Sequence, residues 1–426
     1  MLATLACLLA ACNQDVQLST EESASSESTT HFEQSLNEVF ALMKEVYPSQ
    51  YQKLVQRKDS YVPEFLTSAN LHQCEQAGTY FRKVASNGND EIQIDTLVYI
   101  VNFGNEDGFA VMSANEDLLG NVILALTDSG SISIEDFNYE ENTNDSPAKT
   151  AGRILASTIT DLTVLKFKND LLNPADGIII EDYTYKYSPW NTLGFIKPMV
   201  PIKIHQHAPY NRYCFDILKK QAVTGCVANA LVGIMAAKKY PTQIGVYGAN
   251  WTSIIARYKI PGSYEQDLLA HIIAEVGKQC HMNYGVSASG ATDANAKRCL
   301  ASYPNFTNVK MHEGTLEIAQ EMLIKSNPMY ISGSNHAWIL DGWKLQERTY
   351  ECYKDSTLLR QGTETRRLVH CVLGWGGVAD GYYYFSRFNV KAGPVDREAS
   401  EEQYSSSANV ENLNEDIQIM TYSFNN

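Results

Sequence analysis

The stretch "AVTGCVANALVGIMAAKKYP", Ala222 to Pro241, places a cysteine directly before a run of helical periodicity, with only a glycine ahead of it. Val227, Ala230, Leu231, Ile234 and Met235 share one face at three- and four-residue steps, and Pro241 marks the stop. Lys238 and Lys239 fall at the negative end of the helix dipole. Cys226 therefore starts a helix, where unpaired N–H groups and the positive end of the dipole stabilise a thiolate. Gly225 leaves room for a substrate backbone to approach. A cysteine taken alone is more often packing than chemistry, because this residue type is among the most buried. The helix start raises the case for a nucleophile without settling it.

A thiolate nucleophile needs a base, and among the nine histidines the best placed is His336 in "PMYISGSNHAWILDGW". Ser332-Gly333-Ser334 lead into a run in which His336, Trp338 and Leu340 alternate with Ala337, Ile339 and Asp341, the pattern of a half-buried strand. On the same pattern alone, a histidine hydrogen-bonded within the core is the commoner outcome.

The chain has 426 residues, 44% of them hydrophobic, enough for two buried cores. A formal net charge of -15 opposes any role that needs a broad basic face, so nucleic acid is excluded as a partner. Residues 1–12, "MLATLACLLAAC", form an apolar run whose end resembles a bacterial lipobox, with Cys12 as the lipidated first residue of the mature chain. Acyl chains there would anchor the protein to the cell envelope without spanning the membrane. Residues 13–30 are polar, rich in Ser, Thr and Glu, and read as a tether. From His31 the spacing of Phe32, Leu36, Val39, Phe40, Met43, Val46 and Tyr47 predicts an amphipathic helix. Leu97 to Phe103 and Phe109 to Ser113 read as strands joined by a Gly- and Asx-rich turn, and Val122 to Leu126 as a third. One helix and several strands outline a small α+β domain. Signals are mixed between about Asn138 and Trp190, where "AGRILASTITDLTVLKF" suits a helix. A domain junction is expected near Tyr185 to Ile196.

Thr224-Gly225-Cys226-Val227-Ala228, with Ala230, Ile234, Met235, Tyr240 and Pro241 at matching spacing, resembles the nucleophile helix of the streptopain family (C10) of cysteine peptidases. His336-Ala337 with Asp341-Gly342 is similar to that family's histidine strand, and Gly374-Trp375-Gly376-Gly377-Val378 with Gly381-Tyr382 to its Gly-Trp-Gly-Gly segment. "HQHAPYN" resembles the glutamine segment and puts Gln206 in the oxyanion role; "MNYGVSASGA", Met282 to Ala291, resembles a substrate-side loop. The segment "YIVNFGNEDGFAVMSANED" is similar to the inhibitory propeptide. The resemblance implies an α+β, papain-like fold: a helical half carrying Cys226 and an antiparallel sheet half carrying His336. It implies a propeptide domain and linker over residues 31–185 and a peptidase domain over 186–426. Peptides or proteins would be the substrates, and the chain's own propeptide an intramolecular inhibitor. Catalysis would rest on Cys226, His336 and Gln206, and substrate binding on Gly225, Tyr284, Ser287, Gly290, Asn335 and Trp375. No metal or organic cofactor is implied; His205 and His207 lack a third clear ligand.

Three positions depart from the family pattern. Val372 and Leu373 stand where it reads Asn-Trp, Ile204 where a Trp commonly precedes the glutamine, and Asn335 where a Gly precedes the histidine. The first change removes the amide that would orient the imidazole, and an aliphatic side chain cannot accept its N–H. Asp341 cannot replace it, because an offset of five along a strand puts it on the opposite face from His336. A backbone carbonyl or a water could. These changes leave a second class open: a catalytically impaired homologue that binds peptides in the cleft. An amidase acting on cell-wall peptides is a third, which no motif favours. Cys74, Cys214, Cys280, Cys299, Cys352 and Cys371 allow 15 pairings, and the sequence does not choose among them.

Overall fold

A computed structural model describes residues 31–67, 96–114, 119, 123–137, 146–172, 183–333, 336–354, 356–384 and 417–425. The lipobox and tether fall outside them, as do Cys74 and Asn335.

The strands run in chain order as β1 (Glu64–Leu66), β2 (Val98–Asn102), β3 (Phe109–Ser113), β4 (Ile123–Thr127), β5 (Tyr183–Tyr187), β6 (Asn191–Ile196), β7 (Gln243–Ile244), β8 (Tyr247–Gly248), β9 (Phe306–Glu313), β10 (Met329–Gly333), β11 (His336–Lys354), β12 (Thr357–Val372), β13 (Gly381–Tyr384) and β14 (Gln418–Phe424). All but β7 and β8 join one antiparallel sheet, ordered β1-β2-β3-β4-β13-β12-β11-β10-β14-β9, with β5 and β6 also pairing on β11. The expected hairpin is present as β2 and β3, with Val98 opposite Ser113. The junction expected near Tyr185 to Ile196 falls across β5 and β6, which pair along β11 in tandem.

The predicted first helix spans 31–46. Its Phe32, Leu36, Val39, Phe40 and Met43 are buried against Tyr99, Val101, Ala110, Met112, Leu368 and Tyr382. A second, larger core lies on the other side of the sheet. It joins Leu97, Val98, Val111 and Phe137 with the helices that follow residue 200 and with Trp338, Ile339 and Leu340 of β11. The two cores thus follow the sides of the sheet, and each mixes residues from before and after position 185.

The helical half consists of helices Cys226–Lys238, Trp251–Arg257, Tyr264–Gln279 and Asp293–Ala301. Side-chain caps start three of them: Asn250 accepts from Ser253 N–H, Ser263 from Gln266 N–H and Thr292 from Asn295 N–H. The helix from Cys226 differs: every residue from Val227 to Ala236 is buried, so it runs through the core instead of lying on it. Its Gly233 lies so close to Ile339 of β11 that a Cβ would overlap that side chain. The helix that carries the thiol therefore packs on the strand that carries the imidazole.

Candidate active site

Three loop segments are stitched together around Cys226. The Gln206 carbonyl accepts from Thr224 N–H at 3.0 Å, and the Ile204 carbonyl accepts from Gly376 N–H at 2.9 Å. The Gly-Trp-Gly-Gly turn, the glutamine segment and the residues before Cys226 are thus held side by side by backbone bonds, whatever their side chains. Gln206 is buried. Cys226 is partly buried at the first position of its helix, after Gly225 with φ 84°. A Cβ on Gly225 would meet the Met282 methyl and the Ser289 carbonyl. The glycine therefore accommodates a loop of this chain, where sequence reasoning expected a substrate backbone.

That loop is the expected substrate-side segment. Asn283 and Gly290 exchange backbone bonds of 2.8 and 3.2 Å, Val223 N–H donates to the Gly285 carbonyl at 3.1 Å, and Ser289 Oγ donates to the Val223 carbonyl at 2.8 Å. Ser287 stands exposed at its tip. Tyr284 turns inward: its hydroxyl lies against Gly277 and the Cys214 thiol, and burial raises its pKa. Its hydroxyl therefore packs within the helical half.

His336 opens β11 and is buried. Its Nε2 lies 3.0 Å from the Leu373 carbonyl oxygen. A carbonyl can only accept, so this bond puts the proton on Nε2 and makes Nδ1 the basic nitrogen of the neutral ring. The backbone carbonyl thus fills the place of the missing amide. Trp338 and Trp375 lie near-parallel to the imidazole, at 12° and 10° with centroids 6.1 Å away. Trp375 is thereby placed beside His336.

Asp341 lies on the other side of β11, as its offset requires. It accepts from Met199 N–H, Val200 N–H and His370 Nδ1 at 2.9, 2.8 and 2.6 Å. Burial lowers the His370 pKa, and Asp341, Asp380 and Asp128 together outweigh it, leaving it raised. His205 rests edge-on to Tyr210, and burial followed by the neighbouring His207 lowers its pKa. Among the described residues no cluster of three or more His, Cys, Asp or Glu side chains could hold a metal.

Several participants carried weak sequence signals. Asp380 accepts from Leu373 N–H at 2.8 Å and so holds the residue whose carbonyl meets His336. Asp293 accepts from Tyr330 and Ser332 at 2.7 and 2.9 Å, joining a helix start of the helical half to β10. Asn229, buried three residues after Cys226, carried no sequence signal that set it apart.

A thiol at a helix start and an imidazole at the head of an antiparallel strand, with the helix packed on that strand, form the arrangement of papain-like cysteine peptidases. Residues 204–383, the segment that holds Gln206, Cys226 and His336, match the model of the Peptidase C10 family, which supports a C10 family cysteine peptidase. It is similar to streptopain of Streptococcus pyogenes, at 22% identity over 334 residues that cover 69% of this chain and 75% of the relative. Among solved structures, a fragment of Prevotella intermedia prointerpain A is 18% identical and covers 77% of this chain and 96% of its own, with a TM-score of 0.48. Active interpain A from the same organism is 20% identical, covering 54% and 95%, with a TM-score of 0.36.

Proposed function

We propose that this chain is the zymogen of a cysteine endopeptidase, anchored to the bacterial envelope through Cys12. The observation that carries the reading is the bond from His336 Nε2 to the Leu373 carbonyl, which makes Nδ1 the proton acceptor without the usual amide. In the reaction, the Cys226 thiol passes its proton to His336 Nδ1, and the sulfur forms a bond to the carbonyl carbon of a peptide. The Cys226 N–H, at the start of its helix, and the Gln206 side chain stabilise the resulting oxyanion. On collapse the C–N bond breaks, and His336 returns its proton to the leaving amine. Water, deprotonated by His336, then releases the acid from the thioester. Residues 31–185 would act as the propeptide, and Ser287 and Trp375 would border the substrate.

Intact mass followed over time on a chain beginning after Cys12 tests this reading, with wild type beside Cys226→Ala under reducing conditions. Shortening of the wild type alone by a propeptide-sized piece is expected. Equal processing of both chains would sink it. If a mature C10 peptidase trims the propeptide and the product binds peptides without cutting them, the impaired-homologue reading replaces it. Anchoring is tested separately in the bacterial host. The full chain should partition into the detergent phase and take up labelled fatty acid, and Cys12→Ser should do neither; equal partition would refute lipidation at this residue.

A further inference from the structure

Beside Cys226 the molecule has a small, mostly apolar cavity whose few polar groups the proposed chemistry leaves unused. Its polar lining comes from Lys203, Cys226, Asn229, Trp338 and Asp380. Asn229 is 2% exposed, and neither its amide nitrogen nor its amide oxygen has a protein hydrogen-bond partner. Asp380 is 1% exposed; one carboxylate oxygen accepts from Leu373 N–H, and the other has no protein partner. Buried polar atoms without partners are destabilising, and Asn229 lies one helical turn from Cys226. The cavity offers about 10 Å³ to a water centre, about the volume one water needs, and it supplies both donors and acceptors.

We propose that this cavity is a site for one ordered water joining Asn229 to Asp380, and that the two side chains are positioning residues for His336, acting through Leu373. The connection has four links. Asn229 donates to the water, the water donates to the outer oxygen of Asp380, and the inner oxygen holds Leu373 N–H. The Leu373 carbonyl accepts from His336 Nε2. A bare peptide carbonyl in a glycine-bounded turn, with Gly374 at φ 80°, is a poor substitute for a side-chain amide unless its plane is fixed. Asp380 fixes the N–H side of that residue, and the water and Asn229 fix Asp380. The other charged groups around Asp380 are His370, Lys203 and Asp341.

The inference rests on the peptidase reading, so its test uses a signal that needs no peptide hydrolysis. The rate of Cys226 alkylation by iodoacetamide against pH reports the thiolate held by His336. In wild type a thiolate shoulder is expected below the pH of an ordinary thiol. Asp380→Ala should lower the rate on that shoulder about tenfold, the effect of a one-unit change in the thiol's pKa. Asp380→Asn keeps an oxygen for Leu373 N–H and should recover most of the rate. Asn229→Leu, close in shape but without the amide, should fall between the two variants. Thermal unfolding of each variant confirms that it folds. If Asn229 is only an unsatisfied buried amide, Asn229→Leu raises stability and leaves the profile unchanged, which overturns the proposal. A high-resolution crystal structure with no water between Asn229 and Asp380 also overturns it. Absence of the shoulder in wild type would instead refute the Cys-His reading itself.

Discussion

Gly225 carries two requirements that any side chain would break. Its φ of 84° lies in the left-handed region, and the space where a Cβ would stand holds the Met282 methyl and the Ser289 carbonyl. The first costs about 1–3 kcal/mol for a non-glycine residue, and the second moves either the substrate-side loop or the helix start. Gly225→Ala should therefore lower unfolding free energy in urea by at least about 2 kcal/mol and slow Cys226 alkylation. Unchanged values for both would show that the loop gives way at no cost. The sequence signalled a close approach at this glycine without saying to what, because the loop arrives from more than fifty residues away. Cys226 and His336 stood in local patterns, a helix start and a strand alternation, but it was the family resemblance that singled them out. The Leu373 carbonyl was not legible, since every residue carries a carbonyl and only the fold chooses which one meets an imidazole. Asp341 shows the useful side of the same rule: strand parity alone excluded it.

At the scale of elements, the N-terminal helix and the long β11–β12 ribbon are joined by charge as well as by packing. Arg348 is 1% exposed at its side chain, pairs with Glu38 at 2.5 Å and with Glu364, and stacks over Tyr187 and Trp190 at 3.7 and 4.4 Å. Arg366 reaches Glu38 at 3.5 Å and Gln346 at 2.8 Å, and burial lowers its pKa to about 10. Lys344 pairs with Glu45 at 2.6 Å. Glu38 thus sits between two buried guanidinium groups. Glu38→Ala leaves them facing each other with one anion fewer, and removing one partner of a buried pair costs about 3 kcal/mol or more. Urea unfolding followed by circular dichroism should show that loss, with Glu38→Gln intermediate. A change below about 0.5 kcal/mol, the range of exposed pairs, would mean that solvent screens the cluster. The helix over 31–46 was legible from its apolar spacing, whereas the stretch "AGRILASTITDLTVLKF", which only suited a helix amid mixed signals, lies within the helix Pro147–Leu172. The ion cluster was not legible, because its partners lie some three hundred residues apart.

At the scale of the whole molecule, the sheet runs without a break from β1 to β9, and β4 pairs with β13 where the N-terminal strands meet the strands of the histidine half. Two cores were expected, one for each domain. Because β4 joins β13 edge to edge, the strands before residue 185 share both cores with those after it. Asp380 lies at this seam, immediately before β13. Burial raises its pKa to about 6, against the lowering effects of His370, Leu373 N–H and Lys203. A carboxyl whose pKa is raised on folding binds more protons in the folded chain than in the unfolded one between about pH 4 and 6. Its contribution is therefore most favourable at low pH, falls as pH rises through that window, and is flat above it. Over about two pKa units the loss approaches 3 kcal/mol. Asp380→Asn cannot ionise, yet it can keep the bond to Leu373. Its stability relative to wild type should be near zero at pH 4 and rise to about 2–3 kcal/mol in favour of the variant by pH 7. Urea titrations of both chains at four or five pH values measure that difference directly. A difference independent of pH would mean that Asp380 is ionised throughout, held so by His370 and Lys203 despite its burial. The seam would then be an ion-paired junction, without the proton-sensitive stability expected from a buried carboxyl.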